Sequence, residues 1–151
     1  MATLPTLTSA YARSHTLAGV LIRNAGLTGQ RWSHCGMVDH CTGSVVESVP
    51  RRGVVETPGE AFKGRYPGAG QISYLEVACP RPETALAWAR GQLGKPYDYW
   101  AIAGVLLRQS WAETDRWHCA ELVERALVAG GRQRFRDAPW YISPNSSYQV
   151  I

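Results

Sequence analysis

Cys119 stands at the head of Trp117-His118-Cys119-Ala120-Glu121-Leu122-Val123-Glu124-Arg125-Ala126-Leu127, a stretch that reads as an amphipathic helix. At helical spacing Leu122, Val123, Ala126 and Leu127 share one apolar face, while Glu121, Glu124 and Arg125 are expected to point away. Glu121 and Arg125 stand four residues apart in the favourable order, and Gly130-Gly131 supplies a stop. A thiol where such a helix begins sits near about half a positive charge and free backbone N–H groups, which favours the thiolate. Ser, Thr, Asp or Asn would cap the helix better. The plainer reading of Cys119 is a small buried residue.

A thiol nucleophile needs a base, and the base needs a third group to fix its tautomer and orientation. The chain has His15, His34, His40 and His118. His118 adjoins Cys119, and its side chain is expected to point elsewhere. His15 fits a helix start and His40 a turn. His34 lies in mid-strand, two residues before Gly36, whose missing side chain opens space on the same face. Its alternative is a hydrogen-bonded core histidine. If Asp39 faces Ser44 across a turn, Gly36 faces Glu47, and His34 becomes the diagonal neighbour of Glu47. Such neighbours lie about 7–8 Å apart at the backbone, within reach of long polar side chains. A carboxylate in Val45-Val46-Glu47-Ser48-Val49 needs a partner. A slip of one residue would place Glu47 on the opposite face.

These groups must be carried by particular elements. Leu4 to Tyr11 alternates weakly as an opening strand, and Ser14-His15-Thr16 is a cap for a short helix from Leu17 to Asn24. Trp32 to His40 and Ser44 to Val49 form a hairpin over Cys41-Thr42-Gly43. Pro50 to Gly70 is rich in Gly and Pro, with a short strand near Val54-Val55 and loop beyond it. Gln71 to Cys79 is a strand, and Pro82 opens a helix to Leu93 with Leu86, Ala89 and Leu93 inward and Gly94 ending it. Pro96 to Tyr99 turns into an apolar, helical Trp100 to Leu107. Residues 135–142 read as a covering loop and Tyr148 to Ile151 as a closing strand. Strands and helices without regular alternation indicate an α+β domain spanning residues 1–151.

With 151 residues, 45% hydrophobic and 19% charged, the chain is long enough to bury a core without a metal or disulfide staple. The net charge of +4 favours anionic partners. The basic residues are scattered, from Arg51-Arg52 to the run 132–136, and no nucleic-acid motif accompanies them, so no nucleic-acid partner is expected. Cys35, Cys41, Cys79 and Cys119 lie far apart, which suits free thiols made in a reducing compartment. No secretory signal is read at the start, and no stretch approaches ~20 apolar residues. The expectation is a protein that is cytoplasmic at synthesis, with delivery elsewhere left to a secretion system or a phage.

Four segments resemble one family. Ser33-His34-Cys35-Gly36-Met37-Val38 is similar to the histidine motif of the circularly permuted, YiiX-like branch of NlpC-type papain-like cysteine hydrolases. Val46-Glu47-Ser48 resembles its acidic third position, Leu93-Gly94-Lys95-Pro96-Tyr97-Asp98 its Gly-x-Pro-Tyr segment, and Trp117-His118-Cys119-Ala120-Glu121-Leu122-Val123 its nucleophile motif. The segments occur in the permuted order, histidine before cysteine. The chain departs at Ala120, where Ser is common, and at Cys35, where Val is frequent and which is expected to pack on the far face. The resemblance implies a permuted papain-like α+β fold, an antiparallel sheet packed against the nucleophile-bearing helix. It also implies Cys119 as nucleophile, His34 as base, Glu47 as the group orienting the imidazole, and Tyr97 beside the thiolate. No cofactor or metal is implied.

The function this supports is cleavage of an amide or peptide bond through a thioester, in bacterial cell-wall peptide. The alternative is a lipid acyl hydrolase or acyltransferase, since lecithin–retinol acyltransferase-like proteins are also permuted. A third reading is a non-catalytic zinc module using two of the pairs His34-Cys35, His40-Cys41 and His118-Cys119, whose spacing lacks the usual zinc knuckle. The partner expected is a peptide-containing substrate, a cell-wall fragment or a lipid. The oligomeric state is not legible.

Overall fold

Asp39 does face Ser44. The hairpin that carries His34 and Glu47 closes over residues 40–43, where the Asp39 carboxylate accepts from the Cys41 amide (2.8 Å). The computed structural model describes residues 4–16, 31–100, 115–135 and 142–149. Among them the order is β1 (Thr6–Ala12), β2 (His34–Asp39), β3 (Ser44–Val49), β4 (Gly53–Pro58), α1 (Gly59–Gly64), β5 (Ile72–Ala78), α2 (Pro82–Arg90), α3 (Cys119–Ala129) and α4 (Pro144–Gln149). The strands form one antiparallel sheet in the order β4-β3-β2-β1-β5. The architecture is α+β, with α3 packed on the sheet.

Strand alternation divides the interior in two. Cys35 and Met37 of β2, with Tyr11 and Val46, join Leu122, Val123, Ala126 and Leu127 of α3 in the larger core. Ala10, Ala12 and Val45 lie on the other face, where Phe62 of α1 covers them with Tyr66 and Val38 alongside. His34, as the first residue of β2, belongs to this second face by alternation, and its ring packs near Phe62 and Tyr66.

Three bridges set the site in place. The segment after α2 docks on the edge strand, with Val54 N–H donating to the Lys95 carbonyl (2.9 Å) and Gly94 N–H to the Val54 carbonyl (3.0 Å). Gly53 has φ +72, and a Cβ there would stand 2.2 Å from the Lys95 oxygen, so only glycine allows this approach. Tyr97 then pairs with Trp117, and the Trp117 carbonyl also accepts from Ser48 Oγ (2.6 Å), fixing the start of α3 against β3. Asn145 of α4 accepts from the Arg31 and Trp32 amides (2.8 and 2.7 Å), which fastens the chain just ahead of His34.

The structure corrects several sequence expectations. The region 59–64, read as loop, is α1: Phe62 buries its ring under the sheet, a tertiary gain that propensity over six residues does not reveal. Where a closing strand is expected at 148–151, residues 148–149 end α4 and 150–151 fall outside the described residues; the Ser147 hydroxyl of α4 bonds Glu124 (2.6 Å) and Tyr11 (2.9 Å). Glu121 and Glu124 are buried, not turned to water. Glu124 is neutralised by a two-pronged bond from Arg134. In α2, Ala85 and Ala89 face inward while Leu93 lies beyond the helix and is exposed. The helix expected at 17–24 and nearly all of the one at 100–107 fall outside the described residues.

Arg90, at the end of α2, ties the far ends of β2 and β4 together. Its guanidinium donates to Asp39 Oδ2 (2.6 Å) and to both oxygens of Glu56 (2.6 and 3.2 Å). These bonds hold both carboxyls below their ordinary range. A depressed carboxylate pKa stabilises the fold at neutral pH, and that contribution is lost as pH falls through the folded-state value. Arg90→Ala should therefore destabilise at pH 7 by about 1–2 kcal/mol, allowing for solvent screening of a one-third exposed guanidinium. The difference from wild type should shrink in urea titrations as pH falls below the ordinary carboxylate range and both carboxyls take protons.

Candidate active site

The register places Gly36 opposite Glu47, and His34 then reaches Glu47 diagonally. His34 Nε2 donates to Glu47 Oε2 at 2.6 Å, with Glu47 fully buried. The other carboxylate oxygen accepts from Thr57 Oγ1 (2.6 Å) and from the Arg65 guanidinium. A Cβ at Gly36 would lie 2.7 Å from Val45 Cγ1 and 3.1 Å from Glu47 Cβ, so the residue there must be glycine for the pair to meet. Burial pushes the Glu47 carboxyl up, but His34, Thr57 and Arg65 together bring it below its ordinary value. Glu47 is thus an anion at neutral pH.

Cys119 is the first residue of α3, and the His118 side chain caps the helix by accepting from the Glu121 amide. The thiol interacts with Cys35, His118 and His34. The Cys35 thiol, then the two imidazoles, lower its pKa well below the usual thiol value against the opposing effect of burial. Burial acts to lower the His34 pKa, and the Tyr66 phenol, the Cys119 sulfur and Glu47 overcome it and raise it. Since Nε2 is engaged by Glu47, Nδ1 is the nitrogen left to face the sulfur. Tyr97 is buried, interacts with Cys119, and stacks edge-on with Tyr99 at 5.1 Å. Burial, then the nearby sulfur, holds its phenol well above the ordinary value, so it remains a neutral O–H donor.

All four residues singled out from sequence, Cys119, His34, Glu47 and Tyr97, therefore come together. His15 and His40 are accounted for elsewhere, bonded to Gln71 (3.2 Å) and Thr8 (2.6 Å). His118, by contrast, was expected to point away and instead contacts the thiol, because its position as cap turns the ring over the first turn of α3. Its Nε2 and Glu121 Oε2 are buried 3.9 Å apart, and neither has a hydrogen-bond partner among the described residues. Cys35 lies on the face opposite His34, as expected, but that is the face against which α3 packs, so it meets Cys119. Thr57 and Arg65 were missed. Thr57 follows Val55, the partner of Glu47, by two and so shares its face, a signal available once β4 is given its full length. Nothing local marks Arg65.

The fold has a counterpart among solved structures. The chain is similar to the crystal structure of the metalloprotein YiiX from Escherichia coli O157:H7, a DUF1105 protein, with a TM-score of 0.69 and 20% identity over 97% of this chain and 93% of that one. The fold is YiiX-like. No family model matches the sequence, and no curated protein matches it. Identity at this level establishes architecture and leaves the chemistry to the residues themselves. Among the described residues, no group of three or more His, Cys, Asp or Glu side chains is arranged to hold a metal ion. Both oxygens of Glu47 are already taken up by protein donors.

The arrangement can supply a thiolate beside an imidazolium, the two protons being shared within one coupled pair. A lowered thiol pKa means the thiolate survives down to that value, and a raised imidazole pKa means the imidazolium survives up to its own. The reactive pair occupies the window between them. At pH 7 a small reagent such as iodoacetamide should therefore modify Cys119 faster than Cys41, although Cys41 is the exposed thiol and Cys119 is buried. Peptide mapping after brief labelling reads the order, and preferential labelling of Cys41 would contradict an activated Cys119.

Proposed function

We propose that this chain is a cysteine hydrolase of permuted papain-like type, acting as one domain, that cleaves an amide bond in bacterial cell-wall peptide through a thioester. The observation that carries the proposal is a thiol at the start of α3 facing an imidazole whose far nitrogen is bonded to a buried, ionised carboxylate. The order His34, Glu47, Cys119 along the chain is that of the permuted proteins it resembles.

The chemistry we propose has two steps, acylation and hydrolysis. The Cys119 thiolate attacks the substrate carbonyl, and the developing oxyanion is met by the Cys119 backbone N–H and the Tyr97 hydroxyl. The His34 imidazolium gives its proton to the leaving amine, and the thioester forms. The neutral imidazole then takes a proton from water, whose oxygen attacks the thioester and frees the acid and the thiolate. Glu47 holds the imidazole in one tautomer throughout.

The metalloprotein description belongs to YiiX. In this chain the donor set does not fit a metal at Cys119, since Glu47 is saturated by His34, Thr57 and Arg65. The hydrolysis above uses none. A lipid acyl substrate is favoured by one observation. Tyr99 and Trp100, about half exposed, continue outward from Tyr97 and offer an apolar surface to an acyl chain.

The test is direct. Purified protein is incubated with cell-wall muropeptides and, separately, with phosphatidylcholine vesicles, for wild type, Cys119→Ala and His34→Ala. Release of a new amine from muropeptide is expected, reduced by about 10²-fold or more in both variants. Release of fatty acid with the same dependence would transfer the chemistry to lipid. No thiol-dependent release from either would refute the hydrolase reading.

A further inference from the structure

Glu47 is held by more than its histidine. Its second oxygen receives two donors, Thr57 from β4 and Arg65 from the end of α1. The guanidinium also lies 5.4 and 5.6 Å from the ring centres of Phe62 and Tyr66. Those same rings flank the imidazole of His34, at 6.3 and 6.2 Å, with Tyr66 nearly parallel to it. One side chain thus touches both the carboxylate that aligns the imidazole and the walls of the slot in which the imidazole lies. A fully buried carboxylate with a single partner tends to take a proton, and a protonated carboxyl no longer fixes the tautomer of its histidine.

We propose that Arg65, assisted by Thr57, is a positioning residue for the Cys119–His34 pair, keeping Glu47 anionic and aimed at His34 from a side of the site remote from the thiol. The inference rests on the hydrolase reading of that pair. It assigns a role to α1, which otherwise looks like a cover for the lower face of the sheet. Arg65 touches neither the sulfur nor any reacting atom, so its influence passes through Glu47. The charged and titratable groups facing the assembly are Tyr66 beside α1, Glu47 on β3, Cys35 on β2, Tyr97 and Asp98 ahead of α3, His118 at its cap and Glu121 in its first turn. Of the groups named, Arg65 is the one that brings a permanent cation to Glu47.

The sign of the effect is fixed by charge. Removing the cation makes Glu47 easier to protonate and withdraws positive potential from the thiolate. Both changes move the acid side of the reactive window upward. The readout is the rate of Cys119 alkylation by iodoacetamide against pH, which needs no knowledge of the substrate. In wild type the rate should begin to rise well below the ordinary thiol value of about 8.5. Arg65→Ala should shift that rise upward by about one pH unit, seen as a roughly tenfold slower reaction on the acid side of the wild-type midpoint with little change at pH 9. Arg65→Lys, which keeps the charge, should recover part of the loss, and Thr57→Val should give a smaller shift in the same direction.

A purely structural role for Arg65 would lower the yield of folded protein and leave the midpoint where it was. If Arg65→Ala folds by circular dichroism and its midpoint is unmoved, the proposal is overturned. If Arg65→Ala does not fold, the neutral Arg65→Gln is judged by the same criterion. His34→Ala separates the two levels of inference. A wild-type midpoint at the ordinary thiol value, unaffected by His34→Ala, would remove the ion pair and with it any role for Arg65. A low wild-type midpoint that His34→Ala raises and Arg65→Ala does not would remove Arg65 alone.

Discussion

A carboxylate with no access to water is the constraint from which the rest of this structure follows. Glu47 sits in a strand of valines, and an ion in such surroundings is tolerated only when its oxygens are fully occupied. That requirement reaches in three directions. It needs β2 in one register so that His34 arrives, β4 extended to Thr57, and α1 laid down so that Arg65 can return to the sheet. Each is a segment whose independent stability is small. Their agreement on one buried anion makes the alternative registers costly, because a slip of one residue would strand the charge.

The thiol end of the site is organised by different means. There the backbone does most of the positioning: the Tyr97–Trp117 bridge and the Ser48 hydroxyl bond hold the entry to α3, and Asn145 of α4 holds the entry to β2. Polar side chains buried behind Cys119, namely His118, Glu121 and Asp98, make this region unusually rich in charge for a core. The electrostatic outcome is a sulfur in contact with Cys35, His118 and His34, with Glu47 beyond the His34 imidazole. The imidazole of His34 joins the two halves, with Cys35 also against the sulfur.

Much of this was legible from residue types, and the reasons differ by element. The hairpin was readable because its turn and the lone acid among valines fix a single useful register. The α3 boundaries were readable from apolar periodicity and two glycines. The same periodicity misplaced Glu121 and Glu124, since a helix covered on most of its circumference buries polar residues, and Glu124 finds distant partners in Arg134 and Ser147. Those partners are 10 and 23 residues away, beyond any local pattern. Six-residue helices such as α1 and α4 carry too little periodicity to announce themselves. His118 was misjudged because adjacency in sequence says little where a chain enters a helix and the cap residue turns its side chain back.

The placement of His34 on one face of the sheet and Cys119 on the other has a temporal side. Neither layer holds the machinery by itself: the early hairpin with α1 makes an aligned imidazole, and the late helix brings a sulfur. The hairpin precedes the helix along the chain, and until α3 docks the sulfur stays apart from the imidazole. The sulfur and the imidazole are therefore brought together in a single closing event, the docking of α3 on the sheet.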